Sequence, residues 1–134
     1  MIRQDFLLKQ IEELGKVLGQ ILSNLLGIKG ANAGRHIEET CQTLREEADL
    51  DIDKLLEVPL DKFIQTLQEN KAMNDVNLDH FAAVLFHIAE NENKDKARLL
   101  YERSLIIYNY LENSSVYSFN RNYYLEQIHK SLNN

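Results

Sequence analysis

Apolar residues recur along this chain at spacings of three and four, the rhythm of helices that bury one face. Leu7, Ile11, Leu14, Leu18, Ile21, Leu25 and Ile28 form the longest such stripe, which predicts a helix over 5–27 with Asp5 as its N-cap. Leu8, Val17, Leu22 and Leu26 widen it beyond a coiled-coil seam, so this helix is expected to be covered on more than one side, as the central helix of the domain or as a helix shared in a dimer. Gly15 and Gly19 lie four apart on it. Each costs roughly 1 kcal/mol relative to Ala, so both are expected to receive the next helix of a hairpin at close approach. Gly27, Gly30 and Gly34, with Asn32, mark the turn that follows.

Ile37, Cys41, Leu44 and Ala48 give the inward face of a second helix over 33–48. Asp49, Leu50, Asp51, Ile52 and Asp53 break it, with the acidic residues expected to cap a short turn over 54–57. Pro59 opens a linker helix over 59–69 whose apolar face is Leu60, Phe63, Ile64 and Leu67. A polar connector is expected over 70–77, then helices over 79–90, 94–112 and 118–132. No alternating Val/Ile/Thr-rich segment competes for a strand. The expectation is one all-α domain over 1–134, built of antiparallel helical hairpins with about six helices.

Phe81, Val84, Leu85 and Ile88, followed after a short polar turn by Ala97, Tyr101 and Ser104, have the spacing of a tetratricopeptide repeat, and the span 78–111 has its period of about 34 residues. The span departs from that pattern at Leu85, where a small residue is usual, and at Asn109, where Pro usually ends the second helix. Ile11, Leu14, Gly15 and Leu18 are a weaker echo of the first-helix signature within the long N-terminal hairpin over 5–48. Together with the opening from Ile2 to Leu14, the hairpin is similar to a family of uncharacterised bacterial helical proteins. That resemblance implies an α-α superhelix in which the segment 118–132 caps the hairpin, and a small bacterial, cytoplasmic interaction domain. It brings no catalytic residue with it.

The chain has 134 residues, with 15 Lys and Arg against 21 Asp and Glu, for a net charge of −6. A balance of this sign argues against nucleic acid as a partner. Residues 31–70 carry four basic and ten acidic groups, whereas the flanking segments are close to neutral. Such an acidic run suits either a cation or basic partner, or a solvated helix face, the commoner reason for it. The most apolar stretch, from Val17 to Ile28, includes Gln20, Ser23 and Asn24 and falls short of a membrane span, so no membrane insertion is expected. The N-terminus lacks a secretory pattern and Cys41 stands alone, which fits a reducing cytoplasm.

Candidate chemistry is sparse. His80 and His87 share a helix face, and Glu90 follows His87 by three, a spacing able to offer two ligands to one ion. No third ligand is placed by a recognised motif. Asp49, Asp51 and Asp53 resemble the start of a calcium loop, but Lys54 and Leu60 stand where that loop needs Gly and Glu. Cys41 has His36 nearby in sequence but on another helix face, which leaves the thiol without an aligned base. No cofactor is expected. The favoured reading is a non-enzymatic protein–protein interaction module that binds a protein partner in a helical groove at Arg103, Tyr108, Asn109 and Tyr110, since tyrosine is enriched at recognition surfaces. One alternative is a helical metal-binding protein or enzyme centred on His80, His87 and Glu90. Another is a structural homodimer joined through Leu7, Ile11, Leu18, Leu22 and Leu25.

Overall fold

The computed structural model describes residues 2–27, 33–114 and 120–133. Among them run α1 (Ile2–Leu26), α2 (Ala33–Ala48), α3 (Ile52–Leu55), a 3-10 turn (Leu60–Lys62), α4 (Phe63–Gln68), α5 (Asp75–Ala89), α6 (Lys94–Leu111) and α7 (Arg121–Leu132). No strand occurs among the described residues, and the all-α fold expected from the spacing is the one that forms. Seven α-helices stand where about six were expected, the addition being the single turn of α3.

Local chemistry sets most boundaries, and several differ from expectation. Asp5 lies within the first turn of α1, where its carboxylate complements the helix dipole, rather than at the cap. Asp51 is the residue that caps α3, its carboxylate accepting from the Lys54 N–H at 3.2 Å. Asp49 does something else: its backbone is left-handed, with φ 55°, and this reversal lets the Leu50 N–H donate to the Leu44 carbonyl at 2.9 Å. The linker helix begins as a 3-10 turn that leaves Leu60 exposed, while Phe63 and Leu67 are buried. The expected start of the last helix at residue 118 lies outside the described residues.

The largest correction falls on the supposed polar connector over 70–77. Asn74 caps α5 by accepting from the Asn77 N–H at 3.0 Å, so the helix starts at Asp75, four residues before the expected start. Ala72, Met73 and Asn77 are buried. Asn77 Nδ2 donates to the Ile11 carbonyl at 3.1 Å and to the Ala72 carbonyl at 2.8 Å, fastening the start of α5 to α1.

The central helix is α5, buried nearly all round from Leu78 to Ala89 and packed between α1 and α6. Ser104 Oγ donates to the Ala82 carbonyl at 2.8 Å, and the Phe86 and Tyr101 rings meet at 5.6 Å, so α5 and α6 run antiparallel. Helix α7 returns along α6: Arg121 Nη1 donates to the Leu111 carbonyl at 3.1 Å, and Arg98 Nη1 to the Leu132 carbonyl at 3.3 Å. Between those ends Tyr108 and Tyr124 stack at 5.9 Å. With α5 at the centre, α1 is an outer helix and is not covered on every side. Its Leu14, Leu18, Ile21 and Leu25 enter the core, while Phe6, Leu8 and Leu26 remain exposed.

Candidate functional site

Helices α1 and α2 pack against one another loosely and antiparallel. On the side away from α5 they leave a groove of about 960 Å³, continued toward the N-terminal half of α1 by a second hollow of about 460 Å³. The two hollows share Val17 and Glu47. Val17, Ile21 and Leu14 of α1 provide apolar surface, together with Ala48 and Ala72. Gln20, Ser23 and Asn24 border it on α1, and His36, Thr40 and Thr43 on α2.

Polar side chains along this groove differ in how they are satisfied. Gln20 Nε2 donates to Asn24 Oδ1 at 3.1 Å, and Thr43 Oγ1 donates to the Glu39 carbonyl at 3.0 Å, the usual back-bond of a helical threonine. Thr40 is only 8% exposed and its hydroxyl has no hydrogen-bond partner among the described residues.

Charge on the groove is one-sided. Glu39 and Glu47 line the larger hollow, and Glu13, Glu46 and Asp49 join Glu47 at the smaller one, with Lys16 the lysine that faces them. On α2, Arg45 lies about 160° around the helix from Glu47, on the far side from the groove. The acidic run seen in the sequence is therefore sorted by the helix, with its carboxylates Glu39, Glu46 and Glu47 placed along one rim.

The residues expected to form a groove on α6 are separated by burial. Arg103 is 6% exposed and Tyr108 is 1% exposed, so both belong to the interior. The Arg103 guanidinium donates to the carbonyls of Leu56 at 3.0 Å, Val58 at 3.3 Å and Leu99 at 3.2 Å, tying the turn after α3 to α6. Burial lowers its pKa from the usual arginine value. Burial, followed by the Asp79 carboxylate, pushes the Tyr108 hydroxyl well up. Asn109 and Tyr110 are exposed, and Tyr110 Oη accepts from Gln68 Nε2 at 2.8 Å. These four residues do not share one surface because α6 buries its Arg103 and Tyr108 side under the 56–58 turn and α7.

Of His80, His87 and Glu90, the structure brings His87 and Glu90 together and leaves His80 apart. His80 Nδ1 turns back to the Val76 carbonyl at 2.8 Å. His87 Nδ1 donates to Glu90 Oε1 at 2.8 Å, which leaves Nε2 to accept the Tyr124 hydroxyl at 2.9 Å. This carboxylate–imidazole–phenol line joins α5 to α7. Neither of the hollows described above opens onto it, and burial raises the Tyr124 pKa, which disfavours a phenolate nucleophile. Among the described residues no three His, Cys, Asp or Glu side chains come together to hold a metal ion. Cys41 is partly buried against the core, and burial raises its pKa, so the thiol stays protonated at neutral pH.

Of the expected self-association residues, Leu18 and Leu25 are buried in the chain's own core, while Ile11 and Leu22 are partly buried against it and Leu7 is half-buried. The alternating stripe of α1 is thus mostly its inward face. Thr40, Thr43 and the rim carboxylates went unnamed as site residues in the sequence; the available signal was the return of Thr40, Thr43 and Glu47 to one side of α2, beside its apolar line. No helix of the described residues is long and apolar enough to cross a membrane. Compared with family models, with curated proteins and with solved structures, the chain matches none.

Proposed function

We propose that this chain is a non-enzymatic protein-binding module and that its docking surface is the α1–α2 groove. The observation that carries the reading is the open, partly apolar hollow of about 960 Å³ between two helices that the rest of the domain holds from one side only. Elsewhere α5, α6 and α7 cover one another, and His80, His87, Arg103 and Ser104 are engaged in internal hydrogen bonds. The tetratricopeptide-like spacing of α5 and α6 fits a scaffold that presents neighbouring helices to a partner. A photo-reactive side chain at Gln20, on the groove, is expected to cross-link a discrete partner in cells that make the protein. The same group at Glu126, on α7, is expected to give none. Identical products at both positions, or no product at Gln20, would overturn the proposal.

A second reading, self-association through α1, is favoured by Leu8 and Leu26, which are 57% and 59% exposed on one side of the helix. Gly19 lies on the same side with no atom within 4 Å of a Cβ built on it. A second copy could cover this edge instead of the groove. Sedimentation equilibrium at micromolar concentration would then give twice the 15.6 kDa chain mass, and Leu26→Glu would return it to the monomer. A wild-type monomer eliminates this reading.

A further inference from the structure

Resting on the docking role proposed for the α1–α2 groove, we infer that its occupant is an amphipathic helix of another protein, with lysine or arginine flanking a narrow apolar stripe. Three features define this ligand. The groove runs along α1 from Gln10 to Gly27, about 25 Å at the helical rise, which is the length of a helix of roughly seventeen residues. Its walls are two antiparallel helices with small or slender side chains between them, Val17, Ala48 and Ala72 among them. A third helix laid into such a groove completes an ordinary three-helix packing.

The rim sets the sign of the charge. Glu39 lies about two turns before the adjacent Glu46 and Glu47 on the groove side of α2, and Glu13 and Asp49 extend the same potential toward the other end. These carboxylates do not converge on one point, so they suit a row of separate cations better than a single ion. A second copy of the chain does not supply that row: Arg3, Lys9 and Lys16 of α1 are balanced by Asp5, Glu12 and Glu13, and on the more basic α6, Lys96 is paired with Asp53 and Glu92, while Arg98 and Arg103 donate to the Leu132 and Leu56 carbonyls. The occupant is therefore a different protein.

Two synthetic eighteen-residue helical peptides with one shared Leu/Ala stripe, flanked by Lys in one and Glu in the other, test this on the wild-type chain. Fluorescence anisotropy gives the affinities, and amide chemical shifts locate the contact. The Lys peptide is expected to bind, to move the amides of Gln20, Thr40, Thr43 and Glu47, and to weaken as salt is raised. The Glu peptide is expected to leave the groove unperturbed. Charge reversal at three rim positions (Glu39→Lys, Glu46→Lys, Glu47→Lys) is expected to weaken the Lys peptide about tenfold or more, from three exposed pairs of modest strength. Glu126→Lys on α7 is expected to have no effect. Binding of the Glu peptide in the groove as tightly as the Lys peptide overturns the basic-helix inference and leaves the docking reading standing. Contact of the Lys peptide with another face also overturns the inference. Failure of both peptides to perturb the groove overturns the inference and the docking reading together.

Discussion

Asn77 and Ile11 are 66 positions apart in sequence, and the side-chain amide of one donates to the backbone carbonyl of the other at 3.1 Å. That bond sets how closely α5 approaches α1, and it divides the two glycines of α1. A Cβ added at Gly15 would sit 3.1 Å from Asn77 Oδ1, whereas one added at Gly19 meets nothing within 4 Å.

Replacement of these glycines by alanine therefore has opposite consequences. Gly19→Ala is expected to raise stability by about 0.5–1 kcal/mol, the helix-propensity gain with no steric cost. Gly15→Ala presses on an amide held by two hydrogen bonds, so it is expected to be less stable than Gly19→Ala by about 1 kcal/mol or more. Urea denaturation of the two variants side by side checks the order, and equal midpoints would contradict the close approach.

Arg103 holds the turn after α3 through two of its carbonyls. Arg103→Met keeps much of the aliphatic bulk but strands those carbonyls, at an expected cost of about 2–3 kcal/mol. The accompanying sign is local: amide exchange should accelerate over residues 54–60 more than over α5. Uniform acceleration across the chain would show that the side chain acts on global stability alone.

At Asp49 the left-handed backbone, φ 55°, is one that glycine adopts without strain. Asp49→Gly is expected to stabilise the protein by about 0.5–1 kcal/mol, the relief of strain exceeding the added freedom of the unfolded chain. Thermal melting gives the answer, and a lowered midpoint would mean that the Asp49 side chain contributes a bond of its own.

Thr40→Val tests the floor of the groove in the free protein. Its hydroxyl makes no hydrogen bond within the chain and is not shut off from solvent, so an isosteric apolar side chain is expected to change stability by less than about 1 kcal/mol. A larger loss would show that the hydroxyl already serves the fold.

Burial raises Tyr108, Tyr124, Tyr101 and Cys41 above their ordinary values, which are 10.0 for the phenol and 9.0 for the thiol. The unfolded chain therefore loses these protons first as pH rises. Stability from this source is complete below 9.0 and declines as pH climbs through 9.0 and 10.0 toward the higher folded-state values. The urea midpoint is expected to be flat from neutral pH to 9.0 with respect to these groups and to fall above it. Tyr108→Phe should blunt that fall, and an identical alkaline profile in the variant would remove Tyr108 from the account.

Local spacing alone determined a good deal of this molecule. The all-α class, the helix over 33–48, the pairing of α5 with α6 and the inward course of Leu14, Leu18, Ile21 and Leu25 all follow from a 3.6-residue period acting on apolar side chains. Burial of Ala97 and Ser104 on α6 fits the same pattern. Where a polar residue was read by composition, the reading failed, because Asn74 and Asn77 serve as a cap and an interhelical fastener rather than as loop. Tertiary packing decided everything that depends on which side of a helix stays open. Arg103 and Tyr108 read as recognition residues until the 56–58 turn and α7 close over them, and the carboxylates of α2 become a groove rim only because α1 lies along one side of that helix. Periodicity fixes a side chain's direction relative to its own helix axis, while the neighbour that meets it is set by contacts between residues far apart in the chain.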